Sequence, residues 1–286
     1  MKISDPDSKL LDAAQRGELA ALDQLLGVIQ PGIHNLAVRV LGQRQDAADA
    51  TQDILLKVVM HLASFRGDAS FSTWVWRVAH NHLMTARTRI VESPAVSLES
   101  IAERLDAGLA FADHVALTTG EPGALTPEEQ LEARQVGLAC TQSMLMALDR
   151  EQRLVYVLDT VFDLPSKQAA AVVGITPAAY RQRLSRTRAR LHGFMGRSCG
   201  LVNPDAACRC DRQLPAARHQ RGNRAVKPAN SADSDAAEQA FDAFFRISDA
   251  ASVFRRHPEA QAPDDLRAAI RAVLRQEGFL TTGPSS

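Results

Sequence analysis

Apolar residues recur along this chain at intervals of three and four, and runs of alternating β-branched residues are missing, which predicts an all-α fold. Leu10, Ala13 and Ala14, then Leu19, Leu22, Leu25 and Leu26, form stripes interrupted at Gly17, the pattern of two short helices or one kinked helix. A further helix is predicted from about Gln30 to Leu41, stopped by Gly42. Another runs from Asp46 to about Ala63, with Ile54, Leu55, Val58, Val59 and Leu62 as its buried stripe. The turn Arg66-Gly67-Asp68-Ala69-Ser70 leads into a helix from Phe71 to about Arg89, where Phe71, Trp74, Val75, Val78 and either His82 or Leu83 share a face.

Beyond Glu92 the periodicity fades and prolines, glycines and acids accumulate, as in a flexible linker. Helical spacing resumes at Thr126-Pro127-Glu128-Glu129, where proline opens the first turn and the acids suit the positive end of the helix dipole. The expected organisation is a helical domain over 1–91, an acidic linker over 92–125, a second helical domain over 126–196 and a cysteine-containing extension over 197–286. In the extension, Phe241, Phe244, Phe245 and Ile247 form an apolar patch. Asp264 or Asp265 is placed to cap an amphipathic helix carrying Leu266, Ala269, Ile270, Val273 and Leu274. This part is too small to fold alone and is expected to dock on the two domains or on a partner.

An apolar content of 45% over 286 residues suffices for two modest cores. No stretch approaches the roughly 18 apolar residues of a membrane span, and the first residues lack the basic-then-apolar pattern of an export signal, so a cytoplasmic location is expected. The formal net charge of zero hides a polarity along the chain. Residues 66–91 carry 4 basic and 1 acidic side chains, 92–132 carry 1 and 9, and 165–227 carry 13 and 2. Two basic zones flanking an acidic stretch suit a protein that touches a polyanion at two separated places.

The second basic zone holds LPSKQAAAVVGITPAAYRQRLSRTRARL over 164–191, a short helix, a glycine turn and a long basic helix. Gly174 can end the first helix in the left-handed conformation, Ile175 plugs the turn, and Thr176 with Pro177 opens the second helix. That is a helix-turn-helix pattern. Tyr180, Leu184, Thr187 and Leu191 fall on one side, leaving Arg181, Gln182, Ser185, Arg186 and Arg188 facing outward to reach base edges or phosphates. Arg183 and Arg190 suit phosphate contacts, and Lys167 and Gln168 open the preceding helix. A merely solvated arginine-rich face is the plainer alternative.

In the first domain, residues 46–89 have an acidic half (Asp46, Asp49, Gln52, Asp53) and a half with both tryptophans beside Arg77, His80, Asn81, His82, Arg87 and Arg89. Aromatics interleaved with bases fit single-stranded DNA, whose bases stack on an indole for about 1–3 kcal/mol each. Trp74 lies on the core stripe, whereas Trp76 falls off it and is the candidate for touching DNA.

Cys140 stands alone, and Cys199, Cys208 and Cys210 follow a C-x8-C-x-C spacing. Three thiols so close could share a zinc or copper ion, with His219 or His192 as fourth ligand; a redox switch and inert cysteines remain open. The chain contains no nucleophile elbow, phosphate loop or H-E-x-x-H pattern, so a non-enzymatic role is expected.

Over about 8–91 and 126–195 these residues resemble the extracytoplasmic function (ECF) sigma factors of bacterial RNA polymerase. DAADATQD, then FRGDASFSTW, a variable linker, LDREQRLVYVL and a helix-turn-helix occur in that family's order. The resemblance implies a sigma region 2 and a sigma region 4 that direct core polymerase to promoters and help to separate the strands. It places Asp46, Asp49, Gln52 and Asp53 on the polymerase β′ clamp helices. Arg66, Asp68, Ser70, Trp76, Arg77, His80 and Asn81 would meet the minus-ten element, the turn 66–70 receiving a flipped base. Lys167, Gln168, Arg181, Gln182, Arg183 and Arg186 would meet the minus-thirty-five element while region 4 packs on the β flap. A separate anti-sigma factor is a further candidate partner. Gln168 and Ala169 depart from the family's usual glutamate and isoleucine, Tyr180 from valine and Asp53 from glutamate. A stand-alone helix-turn-helix regulator with a metal- or redox-sensing tail is the rival reading.

Overall fold

A computed structural model describes residues 3–86, 96–119, 124–221, 249–255, 259–263 and 266–276. Arg87, Arg89, the apolar patch at Phe241, Phe244, Phe245 and Ile247, and the candidate caps Asp264 and Asp265 lie outside the described residues. Every regular element among the described residues is a helix: α1 (Ser8–Gln15), α2 (Leu19–Leu41), α3 (Arg44–Leu62), α4 (Phe71–Thr85), α5 (Leu98–Thr119), α6 (Pro127–Met146), α7 (Arg150–Thr160), α8 (Ser166–Val173), α9 (Pro177–Ser198), α10 (Leu214–Gln220), α11 (Ala250–Arg255) and α12 (Leu266–Gln276). The stripes at Leu19 and beyond belong to one long helix, α2, which runs through Pro31 to Gly42. Residues 98–119, read from the sequence as flexible linker, form α5; its Leu98 and Ile101 are buried, which the surrounding acids obscure in the sequence.

The helix ends follow local chemistry. Asp7 caps α1 by accepting from the Leu10 N–H at 2.7 Å, and Asp149 caps α7 from Gln152 at 2.7 Å. Thr126 and Glu129 exchange side-chain-to-backbone bonds of 3.2 and 3.0 Å at the start of α6, so two of the donors that a helix N-terminus leaves unpaired are satisfied together. Gly42 ends α2 at φ 78° and Gly174 ends α8 at φ 76°, a backbone region that costs a side-chain-bearing residue about 1 kcal/mol or more.

The chain forms two compact units that do not follow its linear order. The first comprises residues 1–92, 149–184 and 258–286, and the second 93–148 and 185–257. The helix-turn-helix is thus divided, with α7, α8 and the start of α9 in the first unit and the rest of α9 in the second.

In the first unit, Leu25, Leu26, Ile29, Ile33 and Leu36 of α2 are at most 1% exposed and pack among α1, α3, α4 and α7. Each such side chain contributes about 1.5–3 kcal/mol by leaving water. Two arginines fasten α7 to this bundle. Arg150 donates to the carbonyls of Leu83, Met84 and Ala86 at 3.0, 3.2 and 2.7 Å, satisfying acceptors that the end of α4 leaves open, and buried Arg153 donates to the Val40 carbonyl. The C-terminal segment joins the same unit. Asn35 grips the peptide of Ala260 from both sides, donating to its carbonyl at 3.1 Å and accepting from its N–H at 2.8 Å. Leu266 and Ile270 of α12 are buried, and Arg271 reaches Asp23 at 2.8 Å.

In the second unit, α5, α6 and α10 pack together with the loop 199–213. Arg212 pairs with Asp113 of α5 at 2.7 Å, and Arg218 of α10 pairs with Glu132 and Glu129 of α6 at 2.7 and 3.3 Å. Gln213, 7% exposed, donates to the Leu105 carbonyl of α5 at 2.8 Å, and any side chain at Gly108 would collide with it.

Candidate nucleic-acid interface

Helix α9 begins where Thr176 accepts from the Ala179 N–H at 3.2 Å. Its inner side is Tyr180, Leu184, Thr187 and Leu191, all buried, and the Tyr180 hydroxyl donates to the Val155 carbonyl at 2.9 Å. That anchor leaves Arg181, Gln182, Ser185 and Arg186 exposed along the opposite side. Arg183 is half-buried and pairs with Glu151 at 2.6 Å, so its charge is already partly matched. Lys167 is exposed at the start of α8, but Gln168 is half-buried and donates to the Thr73 hydroxyl of α4 at 3.0 Å.

The two tryptophans of α4 are buried in the reverse order to the one their spacing suggests. Trp76, the candidate DNA contact, is 1% exposed, with its ring 4.8 Å from that of Phe162 in an edge-on arrangement. Trp74, read as core, is half-buried in a cluster with Phe65 and Phe71 at ring separations of 5.4 and 5.7 Å, beside the turn 66–70. The cause is the second face of α4. Val75, Ala79 and Leu83 face the first-domain core, while Trp76 meets the chain that follows α7, a partner far away in sequence.

Arg77 is exposed yet donates to the Ala171 carbonyl of α8 at 3.2 and 2.9 Å. His80 and Asn81 interact with each other at 3.1 Å, and Arg66 and Asp68 are exposed. Ser70 caps α4, accepting from the Thr73 N–H at 3.2 Å.

Along α3, Asp49 and Asp53 are exposed and Gln52 is half-buried, but Asp46 is only 5% exposed. Asp46, one turn before Asp49 and two before Asp53 on the same side of α3, is therefore covered while those two stay open. Asp53 stands 3.7 Å from His82, and Lys57 lies 2.8 Å from the same ring. Burial first, then the Lys57 charge, holds His82 below its ordinary value of 6.5, with Asp53 opposing.

Comparison with known proteins matches the same two stretches of the chain to known families. Residues 27–90 match the Sigma-70 region 2 family and residues 138–191 the Sigma-70, region 4 family. RNA polymerase sigma factor CnrH of Cupriavidus metallidurans is 30% identical over 68% of this chain and 97% of its own length. RNA polymerase sigma-H factor of Pseudomonas aeruginosa is 27% identical over 66% and 93%, and the ECF RNA polymerase sigma-E factor of Escherichia coli K12 is 27% identical over 64% and 90%. The chain belongs to the ECF sigma factors. It binds core RNA polymerase and promoter DNA and directs transcription initiation. Among the described residues no helix is long and apolar enough to cross a membrane.

Region 2 of this sigma factor covers most of α2, all of α3 and α4, and region 4 runs from within α6 into α9. The extension beyond region 4 holds Cys199, Cys208 and Cys210, and the fold brings Cys140 of α6 to them: all four line one cavity of about 30 Å³. Sequence reasoning left Cys140 alone because nothing over the 59 positions before Cys199 signals the meeting. His219, the candidate fourth ligand, is exposed and stacks on Phe111 at 5.0 Å, and His192 is half-buried near Arg188 and Asp249. Neither lines the cavity. Among the described residues no group of three His, Cys, Asp or Glu side chains already stands arranged to hold an ion.

Proposed function

We propose that α3 docks this sigma factor on the β′ clamp helices through Asp49, Gln52 and Asp53, that α4 and the turn 66–70 read the minus-ten element, and that α9 reads the minus-thirty-five element while region 4 packs on the β flap. The observation that carries the reading is the sidedness of α9: four buried residues hold it, and Arg181, Gln182 and Arg186 face solvent, as entry into a major groove requires. On α3, the exposed acids suit a basic protein surface, while Asp46 takes no part in the docking face. At the minus-ten element, Trp74 replaces Trp76 as the indole beside the base-receiving turn.

Because Arg77 donates to Ala171 and Gln168 to Thr73, promoter reading by α4 requires its separation from α8. The same two surfaces are those a protein inhibitor of the sigma factor would cover.

Run-off transcription with purified core polymerase tests the assignment of α3. Asp49→Arg is expected to lose polymerase association and transcript while keeping the helical signal of the wild type. Normal polymerase binding by that variant would remove α3 from the docking role.

A further inference from the structure

We infer that Cys140, Cys199, Cys208 and Cys210 form a tetrathiolate site for a divalent d10 cation, zinc, that fastens the extension to the first helix of region 4. The four are all the cysteines this chain has, and they come from two places, one from α6 and three from the loop after α9, to line one small cavity. A chance gathering of inert thiols would not explain how the loop is built around it.

The loop is pinned on every side. The Gly200 N–H donates to the Cys208 carbonyl at 2.9 Å, and a Cβ at Gly200 would stand 2.5 Å from that carbonyl oxygen, so only glycine lets the two cysteine strands of the loop approach. Arg209 donates to the carbonyls of Ala206, Cys208 and Pro204, the last at 2.7 Å. Gln213 Nε2 lies 3.6 Å from the Cys208 sulfur while holding Leu105 of α5. These bonds fix the ligand-bearing loop from outside, as supporting groups around metal ligands do.

Cys210 is buried and Cys140, Cys199 and Cys208 are half-buried at the cavity. On binding, four S–H bonds break, four zinc–sulfur bonds form and the protons pass to solvent. No electron changes hands. Affinity accordingly falls as pH falls.

The full-length chain, purified under reducing conditions without chelator and in the absence of polymerase, is expected to carry one zinc per chain by elemental analysis. Cobalt(II) substituted for zinc should give the visible spectrum of a tetrahedral thiolate site. In competition with a chromophoric chelator, Cys140→Ser should weaken zinc binding at least about tenfold, and His219→Ala should leave it unchanged. Alkylation counted by mass spectrometry needs no variant: zinc should protect all four thiols of the wild-type chain. Protection of only the three loop cysteines, equal affinity in Cys140→Ser, or saturation by several copper(I) ions with no tetrahedral cobalt spectrum would each overturn the site. Transcription is not the readout, so failure here leaves the sigma-factor assignments standing, and the converse.

Discussion

Helices α4 and α9 both bring arginines to promoter DNA in the proposed reading, yet they are oriented by different means. α9 is held by a stripe from Tyr180 to Leu191, with Arg181, Gln182, Ser185 and Arg186 exposed beside it. α4 is gripped on two sides, by the region 2 core through Val75, Ala79 and Leu83 and by the chain after α7 through Trp76. A helix anchored along one side wears its exposed face openly. A helix with two partners hides one of them from any count of its own spacing, and its remaining polar groups, such as Arg77 on Ala171, are already in use.

The strongest way to break this comparison is Trp76→Ala. If the indole is a packing element against Phe162, truncation leaves a large cavity and costs about 3–5 kcal/mol, read as a lower midpoint in denaturant unfolding. Trp74→Ala, in a half-exposed cluster, is expected to cost clearly less stability and more promoter opening. Unchanged stability in Trp76→Ala, with opening lost, would return Trp76 to the DNA-facing side.

Arg186→Ala comes next. An exposed guanidinium on the groove side of α9 that reads a base is worth about 1–3 kcal/mol of promoter affinity, with relaxed specificity at one position of the minus-thirty-five element. A loss shared equally by all sequences, with a shallower salt dependence, would make it a phosphate contact instead. No change in the binding isotherm would take it off the DNA face.

What the sequence could tell follows from the same contrast. The all-α class, the turn at Gly174, the cap at Thr126 and the outward row on α9 each depend on residues within about a turn or two of one another, and local spacing carries them. The burial of Asp46 and Trp76, the helix at 98–119 and the meeting of Cys140 with the loop cysteines depend on partners brought from elsewhere in the chain. Alternation and periodicity say which side of a helix is apolar. They do not say how many neighbours that helix has.

Ser70 sharpens the picture of α4 at a smaller scale. Its hydroxyl accepts from the Thr73 N–H at 3.2 Å and lies 2.8 Å from the Thr73 hydroxyl, so it is part of the helix start before any DNA arrives. Ser70→Ala should cost about 0.5–2 kcal/mol of stability, whereas Ser70→Asp, which can cap equally well, should restore it. If both variants open promoters as poorly as each other at full stability, the hydroxyl itself serves the flipped base.

The smallest effect is expected at Arg183, and it tests whether the arginines of α9 are equivalent. Arg183 pairs with Glu151 at 2.6 Å, with side chains 35% and 52% exposed, so water screens the pair and its contribution to stability is about 0.2–1 kcal/mol. A guanidinium that must leave a carboxylate to reach a phosphate gains little by the exchange. Arg183→Ala should therefore weaken promoter binding less than Arg186→Ala does, and Glu151→Ala, which removes that carboxylate, should tighten binding at low salt and steepen its salt dependence. Equal losses in the two arginine variants, with no response to Glu151→Ala, would mean that Arg183 abandons its partner on DNA and that packing on region 4 does not rank the row.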